Sequence, residues 1–114
     1  MLIFADTMTT QEILEKLEAL KHRFEEIGQQ LSDPSATADM RRFQQLSRQY
    51  KELQEVVETY ERYKKVIDNY DQAYHELNTE KDADLKQMAR EEMETLEAEK
   101  NMLEGQIRLL RITK

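Results

Sequence analysis

The stretch QLSDPSATADMRRFQQLSRQY, residues 30–50, contains the only proline in the chain. Its reading decides the fold, because the sequence on both sides is periodic enough to be helix. Pro34 offers no N–H and pushes Asp33 out of helical geometry, so a helix must end here. Asp33 is placed to cap a short turn that begins at Pro34. Thr37 is the expected N-cap of the next helix, which sets Asp39 in a first turn where the helix dipole favours negative charge. The stretch is therefore a corner between two helices.

Upstream of the corner, Thr9-Thr10-Gln11-Glu12 reads as a capping box, with Met8 and Ile13 at the staple positions. Apolar residues follow at Ile13, Leu17, Leu20, Phe24, Ile27 and Leu31, alternating steps of four and three. That is a heptad seam, the spacing that keeps one stripe against a partner helix. Gly28 interrupts the seam's surroundings but not its phase, so it is read as an interior glycine costing about 1 kcal/mol.

Downstream, the stripe runs Phe43, Leu46, Tyr50, Leu53, Val56 with Val57, Tyr60, Tyr63, Ile67, Tyr70, Tyr74 and Leu77. The short step from Leu53 to Val56 predicts a rotation of the seam, as at a stammer. Asn78, Thr79, Asp82 and Asp84 are good cap residues and mark a second corner over residues 78–84. A third stripe carries Leu85, Ala89, Met93, Leu96, Leu103, Ile107 and Leu110. Lys100 takes one position of that stripe, where its methylenes can lie on the seam with the ammonium in water.

The expected fold is all-α: an antiparallel three-helix, coiled-coil-like bundle with a long central helix. The helices are expected at about 10–31, 38–78 and 84–111, within a helical domain over 9–114 preceded by an N-terminal extension over 1–8. Helix one, at about 33 Å, covers only the first half of a central helix of about 60 Å. Near the second corner two helices are expected, leaving Tyr63, Tyr70 and Tyr74 incompletely covered unless residues 1–8 or a second chain lie there. These tyrosines, with Thr79 and Asp82 at the tip, are the candidate partner-contact residues.

Composition narrows the chemistry. The 114 residues carry a formal net charge of −7, with 36% charged and 39% hydrophobic residues, no cysteine and no tryptophan. This is long-helix composition, and the regular apolar spacing argues against disorder. Net negative charge disfavours non-specific binding to DNA, which runs on basic side chains against phosphate. Without cysteine there is no disulfide, thiol nucleophile or Cys-based metal site. No apolar run approaches the roughly 20 residues of a membrane span. MLIFADTM, the opening, lacks the basic and long apolar regions of a signal peptide. A cytoplasmic location is expected.

Candidate catalytic groups do not converge. His22 with Glu25 and Glu26, and His75 with Glu76, offer too few ligands for a metal site. Glu91-Glu92-Met93-Glu94 reads as a solvated face. The five tyrosines resemble a base-stacking platform, but at helical spacing among leucines they read as seam residues. Arg41, Arg42, Arg48, Lys51, Lys64 and Lys65 form a basic cluster interleaved with acids, without a sequence-reading motif. The methionines read as gap-fillers.

Residues 17–66, LEALKHRFEEIGQQLSDPSATADMRRFQQLSRQYKELQEVVETYERYKKV, resemble the amino-terminal helical domain of the bacterial peptide chain release factor 1 family, within the class I release factors. The words are the Leu17–Phe24 heptad with EEIGQQLSDP, then D..RF..L...Y..L from Asp39, then V..Y..YK from Val57. DADLKQMAREEMETLE, residues 82–97, is similar to the acidic opening of the family's third helix. The resemblance spans about residues 10–110 and rests on the order and spacing of all four words.

The resemblance implies a helical arm of a translation termination factor, positioning that factor on the ribosome near the large-subunit stalk base. A recycling GTPase or a factor-methylating enzyme are further implied partners. The family's hydrolysis of peptidyl-tRNA is led by a Gly-Gly-Gln loop, and its codon reading by a Pro-x-Thr tripeptide. Neither occurs in the 114 residues, which end in RLLRITK. Gly105-Gln106 shares two letters with that loop but lies in an apolar-periodic helix and is read as coincidence. No catalytic, cofactor-binding or metal residue is carried over, and no enzyme activity is expected of this chain alone. The alternative is a stand-alone coiled-coil scaffold or dimerisation module; its heptad seams are compatible with a homodimer, and the sequence does not fix the oligomeric state.

Overall fold

A computed structural model describes residue 4 and residues 7–110 of the chain. Three helices, α1 (Thr10–Ser32), α2 (Met40–Thr79) and α3 (Ala83–Arg108), account for nearly all of it, and no strand occurs among the described residues. The all-α expectation holds. The chain divides into two compact units, one running to Tyr60 and the other Glu61–Leu109. Of the extension expected over 1–8, only Phe4, Thr7 and Met8 are described.

α1 starts as its sequence dictates. The Glu12 N–H donates to Thr9 Oγ1 at 3.1 Å, and the Thr9 N–H donates back to Glu12 Oε1 at 3.3 Å. Two of the N–H groups that a helix start leaves without partners are thereby satisfied. Ile13, Leu17, Leu20 and Ile27 are buried, so the heptad stripe is the inward face. Phe24 stacks on Tyr50 of α2, with centroids 4.4 Å apart and ring planes 19° apart. Gly28 sits one turn further along, inside the helix as expected. A Cβ there would stand 3.2 Å from Tyr50 Cε2, so the bare backbone gives the tyrosine ring its seat.

The corner is built by two aspartates. Asp33 adopts an extended conformation (φ −69°, ψ 130°) and caps a short 3-10 turn, Pro34–Ala38. Its Oδ1 accepts from the Ser35 N–H at 2.9 Å and the Ser35 hydroxyl at 2.8 Å. These two bonds, the backbone one foremost, favour the ionised form and hold the Asp33 carboxyl below its ordinary range. The expected N-cap Thr37 is corrected: the 3-10 turn absorbs it, and Asp39 takes the capping position. Asp39 is extended (φ −116°, ψ 97°), and its Oδ1 accepts from the Arg42 N–H at 3.2 Å. Its carbonyl takes the Phe43 N–H at 3.0 Å. The second helix thus starts at Met40 rather than 38.

α2 is 40 residues long and contributes its first half to one unit and its second half to the other. In the first unit Leu53, Val56 and Tyr60 are buried, consistent with the expected short step at Leu53. Tyr60 donates its hydroxyl to Glu18, and the Lys21 ammonium lies 5.8 Å from the Tyr60 ring centroid. Both side chains come from α1 and fix the ring on α1's polar flank.

In the second unit the expected stripe is corrected. Tyr63, Val66 and Ala73 are buried, whereas Ile67 is half-buried and Tyr74 is 55% exposed. A second three-residue step, from Tyr63 to Val66, turns the helix again and brings small side chains inward. α3 answers with Ala89, Leu96, Leu103 and Ile107. Ala73 and Ala89 lie eight residues either side of Lys81, and Val66 and Leu96 fifteen. Burial symmetric about a three-residue connection is the pattern of an antiparallel helix pair. Leu85 is also corrected: placed on the stripe by spacing, it is 48% exposed. It shares its angular position with Leu103, five turns away, but lies in the first turn of α3, beside the connection.

Candidate partner-contact surface

The tip between α2 and α3 is tied down by its own acids. The Glu80 carboxylate accepts from the N–H groups of Lys81 and Asp82, at 2.9 and 3.1 Å. Asp82 Oδ1 accepts from the N–H groups of Asp84 and Leu85, at 2.8 and 3.2 Å, making Asp82 the N-cap of α3. On the α2 side the Thr79 hydroxyl donates to the His75 carbonyl at 2.9 Å, and the Glu80 N–H continues the helix to the Glu76 carbonyl. Of the cap residues singled out at this corner, Thr79 and Asp82 thus use their side chains there. The result is a short, acidic, self-satisfied knob.

The five candidate contact residues divide. Thr79, Asp82 and Tyr74 are exposed, and Tyr70 is half-buried. Tyr70 and Tyr74 are one turn apart on α2, so they share a face. Tyr63 is not on the surface: it is 0% exposed, which corrects the expectation that its ring is incompletely covered. α3 covers it. The Tyr63 hydroxyl donates to Glu104 Oε2 at 2.7 Å. Lys100 Nζ stands 3.4 Å from the same oxygen, and an Arg108 terminal nitrogen 3.8 Å from Oε1. Glu104 is only 12% exposed and so gathers a phenol and two cations one helical turn either side of it. Lys100, 26% exposed, fills its seam position as its sequence context implies.

Sequence reasoning passed over Glu104, which lies in the EGQ triplet. Its signal was the pair of basic residues at i−4 and i+4, Lys100 and Arg108. The Gly105-Gln106 pair itself lies inside α3, and space within 4 Å of a Gly105 Cβ is empty. His22 meets Glu18 at 3.4 Å and Glu25 at 3.9 Å on exposed helix. Among the described residues no group of three metal-ligating side chains comes together, and no helix is long and apolar enough to cross a membrane.

A second surface lies at the other corner, in the first unit. A groove of about 690 Å³ has Phe24, Gly28, Pro34 and Tyr50 as its apolar lining, with Glu25 and Asp33 among its polar residues. The sequence carried a hint of it in a helix-interior glycine one turn after a seam phenylalanine.

Comparison with known proteins adds the family. The PCRF domain matches residues 20–114. Among relatives, a protein of Cytophaga hutchinsonii is 42% identical over 102 residues, covering 90% of this chain and 28% of the relative. One of Enterococcus faecalis is 38% identical over 100 residues, covering 88% and 28%. One of Lactococcus lactis is 36% identical over 103 residues, covering 90% and 29%. Each is named peptide chain release factor 1. The chain therefore spans less than a third of the length of these relatives. No solved structure matches.

Proposed function

The chain belongs to the PCRF domain family, and on that premise we propose that it is the helical arm of a class I peptide chain release factor, acting by position. The observation that carries the reading is the match over residues 20–114 to a domain of termination factors.

In this reading the arm is a spacer. Within its second unit the Tyr63–Glu104 bond joins α2 to α3. It holds the remainder of a factor near the base of the large-subunit stalk, in the cytoplasm. The acidic tip with Thr79 and Asp82, and the Tyr70–Tyr74 face, are its partner contacts. A recycling GTPase or a factor-methylating enzyme would meet it there.

The test is a chimera. The matching segment of the Cytophaga hutchinsonii relative is replaced by this chain and assayed for stop-codon-dependent peptide release on purified ribosomes. At a sub-saturating factor concentration, the reading expects release within a few-fold of the parent, and much less from the same factor with the segment deleted. A chimera no better than the deletion would overturn it and favour a scaffold unrelated to termination.

A further inference from the structure

The groove at the first corner combines features that the arm's spacer role does not require. Its apolar lining is the stacked Phe24–Tyr50 pair, the bare backbone of Gly28 and the Pro34 ring. Both aromatic rings are half-buried, so each keeps surface open to the groove. Glu25 and Asp33 are exposed and stand eight residues apart on one side, about 12 Å along the helix axis. Among the described residues no basic side chain lines the groove.

Gly28 is central to its shape. Without a side chain there, Tyr50 lies against the α1 backbone and the groove stays open between Phe24 and Pro34. Aromatic faces attract cations, and guanidinium groups most readily because they also stack. Carboxylates at the two ends complement the same charge and repel phosphate. His22 approaches Glu25 only to 3.9 Å. The Ser35 N–H and hydroxyl both bond Asp33 Oδ1 and favour its ionised form.

We propose that this groove is a docking site for a short basic segment of a partner protein, whose arginine side chains lie over the Phe24–Tyr50 pair and reach Glu25 and Asp33. Arginine is enriched at the centres of protein interfaces for these reasons. The inference does not depend on the ribosomal reading, since it rests on the charge and shape of the groove alone.

The test follows amide and side-chain NMR signals of the chain while an acetylated, amidated Arg-Ala-Ala-Arg peptide is added. Shifts are expected to saturate and to centre on Phe24, Gly28, Asp33 and Tyr50. The citrulline peptide, equal in shape and uncharged, is expected to cause none. Glu25→Gln with Asp33→Asn keeps both side-chain sizes and the corner's cap, and is expected to weaken binding at least fivefold. Three results would overturn the proposal: shifts spread over the α3 glutamates and unchanged in the double variant, equal binding of the citrulline peptide, or a single-stranded RNA that occupies the groove more tightly than the peptide.

Discussion

Tyr63→Phe removes one oxygen from a fully buried ring and leaves the ring's packing in place. What is lost is the 2.7 Å hydrogen bond to Glu104. Hydrogen bonds to charged groups contribute about 1.5–3 kcal/mol. Lys100 and Arg108 remain beside the carboxylate, so Glu104 is not abandoned and the loss falls in the lower part of that range, about 1.5–2 kcal/mol. At roughly 4 °C or more per kcal/mol for a domain of this size, the midpoint should fall by at least about 6 °C. Glu104→Gln keeps an acceptor for the phenol but strips the two cations of their anion. The two substitutions share one interaction, so their effects should not add. Urea unfolding followed by helical circular dichroism reads both variants and the double variant. A Tyr63→Phe effect within about 0.5 kcal/mol, or strict additivity in the cycle, would refute the reasoning that Glu104 joins α2 to α3.

The two glycines separate helix propensity from packing. Gly105→Ala meets nothing within 4 Å and should stabilise by about 0.8–1 kcal/mol, whereas Gly28→Ala must push Tyr50 and should gain clearly less; thermal melts of the pair check the difference. Ala73→Leu overpacks the buried side of α2 and should cost about 1–3 kcal/mol, while Tyr74→Ala on the exposed flank should stay within about 0.5 kcal/mol, by the same unfolding assay. Asp33 has a folded-state pKa below its unfolded value, so its contribution to stability is present at neutral pH. That contribution disappears as pH falls through the ordinary carboxylate range of about 3.9 and below. An NMR titration should show Asp33 protonating at lower pH than free aspartate. Ser35→Ala should raise it only part of the way, because the larger cause, the backbone N–H, remains.

Much of this architecture could be read before any coordinates. The capping box at Thr9, the proline corner and the α1 seam are local, strongly patterned signals, and each appears where the residues put it. Lys100 was legible for the same reason, since a lysine in phase with leucines has one economical conformation. The misreadings share one cause. Along α2 the spacing favours Ile67 and Tyr74, the larger side chains, over Val66 and Ala73. The phase that wins must match the buried set on α3, which includes Ala89. No inspection of α2 alone contains that fact. Thr37 was misplaced because a 3-10 turn and the first turn of an α-helix differ in hydrogen-bond register, not in composition. The role of Glu104 and the groove beside Gly28 likewise depend on which residues meet across helices, and spacing along one helix does not reveal that.

A spacer and a reaction centre fail in different ways when altered, and that difference is measurable. In the chimera and its arm-deleted form, single-turnover peptide release is recorded against factor concentration. The account predicts that losing the arm raises the concentration for half-maximal release by tenfold or more, with the saturating rate nearly unchanged. A saturating rate that collapses while the half-maximal concentration stays put would contradict it.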